Sequence, residues 1–134
     1  MKRLDLPLLD PLTPSLELLV SDGAESHNPK ISLQVLIDTG FDDYLTIPKQ
    51  VAKQLRLPIL GQDEVILANS EQYTVDICKG FVFVPAISHL VLPIDIILGD
   101  DEVALIGTRF LSKICDKFSI DFKHSHLILE GLPV

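Results

Sequence analysis

The residues best suited to chemistry are the triplet Asp38-Thr39-Gly40, in which an acid, a hydroxyl and a glycine follow one another. Residues 31–35 before it alternate between apolar and polar side chains and lead into the apolar run 35–37, which is typical of a half-buried β-strand. A strand that ends in an acid presents the carboxylate where the sheet stops, and the glycine lets two backbone segments approach closely. The triplet therefore predicts a catalytic acid or, alternatively, an ordinary strand-ending turn in which the aspartate bonds local amides.

A second apolar stretch ends in Ile106 and Gly107 and continues into residues 108–114. The apolar residues of this continuation fall on one face of a helix, and Thr108 is a candidate helix N-cap. The sequence therefore predicts a strand that ends in glycine and runs into a short helix. The chain thus contains two apolar strands that each end at a glycine, one of them beside an acid.

These two stretches together resemble the aspartic peptidases, and specifically the single-domain retropepsin-like family of retroviral proteases. The resemblance extends from about residue 15 to about residue 122. It implies an all-β acid-protease barrel with one or two short helices, in which the downstream strand passes beside the catalytic turn and the helix packs under it. It assigns catalysis to the triplet that begins at Asp38, and it makes Ile106, Gly107 and Arg109 structural neighbours of the site.

The pattern of short apolar segments separately favours an all-β, barrel-like domain. A helix is predicted for residues 49–55, because Pro48 suits a helix start and Pro58 can end it. A further short helix follows Thr108. The predicted strands cover residues 16–20, 31–37, 44–47, 65–68, 73–77, 81–84, 90–92, 94–98, 103–106, 118–122 and 127–129.

The residues after the triplet are the candidates for substrate binding. Asp42 and Asp43 continue the triplet as retroviral enzymes often do, which implies that they bind substrate backbone or pair with Arg109; a solvated turn is the alternative. Phe41 stands where the best-known members carry a small residue, and its bulk could narrow the cleft. Those members carry arginine directly after the downstream glycine, where this chain has Thr108.

A second predicted hairpin lies where the resemblance places the flap that closes over substrate. Its strands, residues 65–68 and 73–77, enclose a polar tip. Ala68, Asn69 and Ser70 at this tip are therefore expected to contact substrate. Retroviral flap tips are rich in glycine, whereas this tip contains none.

One aspartate cannot perform this hydrolysis alone, because the mechanism needs two carboxylates that share a proton. Since the chain contains one such triplet, the second carboxylate must be Asp38 of another subunit in a homodimer. Thr39 would bond across the twofold axis, and no cofactor or metal ion takes part. The expected function is an aspartic endopeptidase acting on peptide or protein substrates. The alternative is a dimeric binding or scaffold module that keeps this fold but cleaves nothing, which Phe41 and the glycine-free tip favour.

The bulk composition limits the class of protein. With 134 residues the chain is expected to form one domain, by the prior of about 150 residues each. Residues 1–14 carry three prolines and are expected to be extended or loosely attached to a peptidase domain at 15–134. The net charge of −8 argues against binding nucleic acid or an anionic membrane. The longest apolar stretch, residues 80–99, is broken by prolines and polar residues and is predicted to form strands rather than a membrane helix.

The remaining candidates for chemistry have simpler explanations. Cys78 and Cys115 match no metal spacing and are expected to be buried thiols in a reducing, cytoplasmic setting, rather than a disulfide. No signal peptide is visible. The acidic run at residues 100–102 is expected to be a solvated hairpin tip, and His124 and His126 an exposed turn, rather than metal sites.

Overall fold

The computed structural model describes residues 2–66 and 69–133. In these ranges the chain forms short strands and two helices of two turns each. In chain order they are β1 (Arg3–Pro7), β2 (Ser15–Ser21), β3 (Lys30–Ile37), β4 (Leu45–Pro48), α1 (Lys49–Leu55), β5 (Ile59–Ile66), β6 (Gln72–Phe83), β7 (Val91–Gly99), β8 (Leu105–Ile106), α2 (Thr108–Ile114), β9 (Lys117–Asp121) and β10 (His126–Glu130).

The larger sheet closes into a barrel. Its seven strands follow the order β2-β3-β8-β4-β7-β6-β5, and β2 also pairs with β6 through Val20 and Val82. Six strands therefore form a closed ring, and β5 remains outside it, paired only with β6 as a hairpin. The predicted all-β barrel with one or two short helices is confirmed.

Alternation of apolar and polar side chains explains why these segments form strands around one core. In β2, Leu16, Leu18 and Val20 are buried while Glu17 between them is exposed. The largest fully buried side chain is Phe110 of α2, so this helix is attached to the barrel by its apolar face. Burying a side chain of this size contributes about 1.5–3 kcal/mol.

The first strand belongs to a separate three-stranded sheet in the order β1-β10-β9. Every residue of β1 pairs with β10, from Arg3 opposite Glu130 to Pro7 opposite His126. Leu4 and Leu6 pack against the core while their neighbours face solvent. Residues 3–7 are thus extended and held by hydrogen bonds, so the expected alternative of loose attachment does not describe them.

Two strands are longer than the sequence predicted. The predicted strands 73–77 and 81–84 join in one strand, β6, which ends at Phe83, because Gly80 between them is buried within the sheet and does not interrupt it. Residues 90–92 and 94–98 likewise join in β7. Pro93 is tolerated because it lies in the half of β7 that has only β6 as a partner; β4 pairs with the other half.

The acidic run at Asp100 was expected at a hairpin tip, which is wrong, because β7 and β8 are separated in the sheet by β4. The run is an exposed crossover connection, and Asp100 forms an ion pair with Lys49. In the turn before β10, His124 Nδ1 lies 2.8 Å from Asp121 Oδ2, a hydrogen bond that lowers the pKa of Asp121. Within the described ranges no three potential ligands form a metal-binding group.

Backbone hydrogen bonds with β8 and with the start of α2 hold the turn after β3. Because β3 and β8 pair in parallel, the strand end at Asp38 lies directly beside Ile106, and the Asp38 N–H donates to the Ile106 carbonyl at 2.9 Å. Further along, the Thr108 N–H donates to the Phe41 carbonyl at 2.8 Å. These bonds hold the backbone on both sides of the triplet.

Gly107 is required at this junction because the turn backbone lies against its Cα. Its N–H donates to the Tyr44 carbonyl at 3.1 Å. A Cβ atom placed on Gly107 would lie 2.7 Å from the Phe41 carbonyl oxygen and would overlap the Asp43 carbonyl. No side chain fits there unless the turn moves.

We predict that Gly107→Ala lowers the free energy of unfolding by about 1–3 kcal/mol, because the added methyl group must displace backbone rather than a flexible side chain. Urea unfolding followed by circular dichroism measures the change. Gly61→Ala is the matched control, since a Cβ there meets nothing within 4 Å. Equal stability of the two variants would contradict the close approach at Gly107.

Both cysteines are buried free thiols. Burial raises the pKa of the Cys78 thiol to about 11 and also raises that of Cys115. With a pKa of about 11, about one Cys78 thiol in a thousand is ionised at pH 8. We therefore predict that a thiol reagent labels neither cysteine in the folded protein at this pH and labels both after denaturation. Cys78→Ser and Cys115→Ser variants separate the two signals, and rapid labelling of the native protein would contradict the prediction.

Candidate active site

The carboxylate of Asp38 lies at the surface, in the turn that follows β3. Asp38, Thr39 and Gly40 are all exposed. The Gly40 N–H donates to Asp38 Oδ1 at 2.9 Å, and the Phe41 N–H donates to the Asp38 carbonyl at 3.1 Å. The local amide bonds of an ordinary turn are therefore present. They orient the carboxylate without covering it, so the acid remains accessible to water and to a ligand.

The two acids after Phe41 lie in different surroundings. Asp42 is exposed, whereas Asp43 is half-buried and its Oδ1 accepts a hydrogen bond from the Tyr44 N–H at 2.8 Å. Phe41 itself is half-buried. The side chain of Asp43 thus stabilises the chain as it leaves the turn, and the side chain of Asp42 projects into solvent near Asp38.

Arg109 contacts an aromatic ring and not the acids of the turn. Its guanidinium carbon lies 5.7 Å from the centroid of the Tyr44 ring, within the range of a cation–π contact. No carboxylate in the described ranges lies within ion-pair distance of Arg109. Because a helix turns about 100° per residue, a side chain at 109 leaves α2 in a different direction from one at Thr108. The pairing of Arg109 with Asp42 or Asp43 is therefore absent here, and their contact with substrate stays a prediction.

An open depression of about 390 Å³ lies beside the turn. It extends from the outgoing chain of the turn to the base of the β5–β6 hairpin, with α2 at one side. A ligand there would contact apolar groups and charged groups of both signs. The lining residues include Asp43, Tyr44, Leu60, Gln62, Asp63 and Arg109.

The tip of the β5–β6 hairpin has a backbone conformation that usually requires glycine. Asn69 and Ser70 are exposed, and Ser70 has a φ of 68° in the left-handed region. Asn69 Oδ1 accepts a hydrogen bond from the Glu71 N–H at 3.0 Å, which stabilises the tip without glycine. Ala68, which was also assigned to substrate binding, lies outside the described residues.

Two neighbours of the site were not predicted. Tyr44 accepts a hydrogen bond from Gly107, donates one to Asp43 and carries the ring beneath Arg109. The segment that follows β1 also reaches the site, because the N–H of Ile37 donates to the Pro14 carbonyl at 2.9 Å. The sequence feature that could have indicated Tyr44 is its position directly after Asp42 and Asp43.

Comparison at the level of sequence finds no relative of this chain. No protein-family model matches the sequence, and no curated protein matches it significantly. No helix in the described part of the chain has the length and apolar character to span a membrane.

Several solved structures do share the architecture. The retropepsin-like aspartic protease from Rickettsia conorii is similar over 97% of this chain and 91% of its own, with a TM-score of 0.62 and 19% identity. The EIAV protease covers 75% of this chain and 86% of its own, with a TM-score of 0.56 and 14% identity. The simian foamy virus protease covers 74% of this chain and 92% of its own, with a TM-score of 0.50 and 10% identity. The chain therefore has the retropepsin-like fold of these aspartic proteases.

Proposed function

We propose that the protein is an aspartic endopeptidase that works as a homodimer and activates a water molecule between two Asp38 carboxylates. The observation that carries the proposal is the exposed Asp38 carboxylate, whose backbone is anchored to Ile106 at the end of a β-strand. The shared fold with aspartic proteases supports the same assignment.

The reaction uses one proton shared by the two carboxylates. The ionised carboxylate takes a proton from water as the water oxygen attacks the peptide carbonyl carbon, and the protonated carboxyl gives its proton to the carbonyl oxygen. The tetrahedral intermediate collapses when the carboxyl that took the proton from water gives it to the amide nitrogen, the other carboxylate takes a proton from a hydroxyl of the intermediate, and the C–N bond breaks, which restores the singly protonated pair. Two carboxylates held together cannot both ionise easily, so one of them stays protonated, as is general for aspartic proteases.

The exposed part of the turn suits a shared site. Thr39 is exposed beside Asp38, where its hydroxyl would bond to the equivalent turn of a second subunit. The hairpin tip at Asn69 and Ser70 would close over a peptide, and Asp42 would bind the peptide backbone. No cofactor is needed for this chemistry.

The net charge bears on the class of substrate, and the buried cysteines bear on the compartment. A net charge of −8 disfavours nucleic acids and anionic membranes, and the fold shared with aspartic proteases supports peptides as the substrate class. The buried free thiols Cys78 and Cys115 favour a reducing compartment such as the cytoplasm.

A dimeric binding module that cleaves nothing is the second candidate. The observation that favours it is the bulky Phe41 directly after the triplet. Incubation with a mixed peptide library, with and without a transition-state-mimicking inhibitor, distinguishes the two. Cleavage that the inhibitor blocks supports the aspartic peptidase, absence of cleavage supports the binding module, and cleavage that the inhibitor does not block contradicts both.

We predict that Asp38→Asn lowers kcat/KM by about 10²–10⁴-fold or more while the fold persists, because the change removes the acid–base group and keeps the shape. Peptide cleavage assays and circular dichroism measure the two effects. Asp22→Asn is the control, since Asp22 is an exposed acid in the β2–β3 turn, at the opposite end of β3 from Asp38. An Asp38→Asn variant that cleaves at the wild-type rate would remove Asp38 from the mechanism.

We predict a bell-shaped dependence of kcat/KM on pH, with its maximum on the acidic side of neutrality. The active form is the singly protonated pair, and free aspartate titrates near about 3.9 with only the second ionisation of the pair raised. Rates measured from acidic to alkaline pH, each with a chelator control, test this. A rate that keeps rising in alkali, or that the chelator abolishes, would indicate hydroxide or metal chemistry instead.

A further inference from the structure

The two most exposed large apolar side chains of the described residues lie in one turn. Leu9 is 73% exposed and Leu12 is 80% exposed, and both belong to the segment between β1 and β2. We call residues 8–14 the leucine turn. Single exposed apolar residues are common on protein surfaces, but two highly exposed leucines in one short turn indicate a surface that something covers.

The leucine turn has a defined backbone. The Thr13 N–H donates to the Asp10 carbonyl at 3.2 Å, and the Leu12 N–H donates to Asp10 Oδ1 at 3.0 Å. These bonds fix the direction in which the turn presents its side chains. A partner that binds here therefore meets a preformed surface and need not order it, which lowers the entropic cost of association.

The leucine turn is joined directly to the catalytic turn. Its last residue, Pro14, accepts a hydrogen bond from the N–H of Ile37, the residue before Asp38. At its other end the Leu8 N–H donates to the Ser125 carbonyl at 2.8 Å, in the loop between β9 and β10. That loop contains Phe122, which is 63% exposed. Exposed apolar groups therefore continue from the leucine turn, which is bonded to the residue before Asp38, into the loop between β9 and β10.

The three-stranded sheet limits the other ways of pairing two chains near this edge. Its middle strand, β10, is hydrogen-bonded on one side to β1 and on the other to β9, so a second copy cannot add a strand to β10. Pro7 has no N–H to donate, which weakens the outer edge of β1 as a place for a further strand. The outer edge of β9 has no strand partner in the described ranges, but the leucine turn is the segment hydrogen-bonded to Ile37 beside Asp38, so its side chains are better placed to bring two Asp38 turns together.

We propose that a second copy of the chain packs over the leucine turn, buries Leu9 and Leu12, and thereby brings the two Asp38 turns together. A second copy is the occupant because Asp38 is a single carboxylate in each chain and its site is incomplete without a partner. In a twofold interface both subunits contribute the same surface, so Leu9 and Leu12 of both chains are buried. This proposal rests on the proposed function, because that function requires two Asp38 side chains in one site.

The test is Leu12→Glu, with Leu9→Glu as a second variant. Sedimentation over a range of protein concentrations measures the dimer dissociation constant. We expect it to rise by about tenfold or more, because the interface would have to bury the new charge twice. The rate of peptide cleavage per chain should fall at low protein concentration. A higher concentration of the same variant should restore that rate, because more of its chains are then in dimers.

The matched control is Ile59→Glu, which makes the same kind of change at an apolar side chain that is 55% exposed. Ile59 begins β5, the strand outside the closed ring, and pairs with Cys78 of β6, whereas the leucine turn precedes β2 at the other end of the strand order, so the control lies away from the leucine turn. Its dissociation constant should equal that of the wild type. Circular dichroism and thermal melting establish that each variant is folded, and Leu12→Ser replaces Leu12→Glu if the latter is not.

The outcomes separate this proposal from the proposed function. A wild-type dimer that Leu12→Glu weakens, but that cleaves no peptide, supports the contact and overturns the peptidase. An unchanged dissociation constant overturns the contact, even if cleavage persists. An unchanged dissociation constant with a raised KM shows that the leucine turn contacts peptide and not a second copy. A wild-type protein that stays monomeric at every concentration overturns both the contact and the shared site.

Discussion

The close approach of two backbone segments at Gly107 is the constraint on which the rest of the site depends. On one side the chain leaves β3 through Asp38, and on the other β8 runs into α2. Since a side chain at 107 would overlap the Asp43 carbonyl, only glycine allows the two segments to share their hydrogen bonds. The acid can then be exposed while its backbone stays fixed, a combination that a loop held only by its own residues could not give.

The segments that were predictable from sequence are those whose stability is local. Helix α1 begins and ends where its prolines indicated, and the β2–β3 hairpin follows from alternation across a polar turn. The Asp38 turn was also recognisable, because its residue types are unusual at a strand end. In these cases neighbouring residues determine the structure, so a short window of sequence contains the necessary information.

The features that were not predictable depend on partners distant in sequence. Pro7 at the end of β1 and the prolines that follow it concealed the alternation in β1, whose partner is β10, distant in sequence. Pro93 looked like a break, and only the position of β4 shows why it is tolerated. The direction of Arg109 toward Tyr44 follows from where α2 begins. When an arginine moves by one residue along a helix, its side chain points in a different direction, even though the two sequences look similar.

The pairing of β1 with β10 has a consequence for the order in which the protein assembles during synthesis. Every strand of the barrel precedes β10 in the chain and therefore leaves the ribosome before it. The barrel and its Asp38 turn can therefore form first, while β1 stays unpaired until β10, its partner among the described strands, has been made. The segment between β1 and β2 is anchored at its β1 end only after that pairing. A nascent chain would thus contain its acid early but would acquire the fully anchored leucine surface only after β10 has been made, which delays association of chains until the barrel has folded.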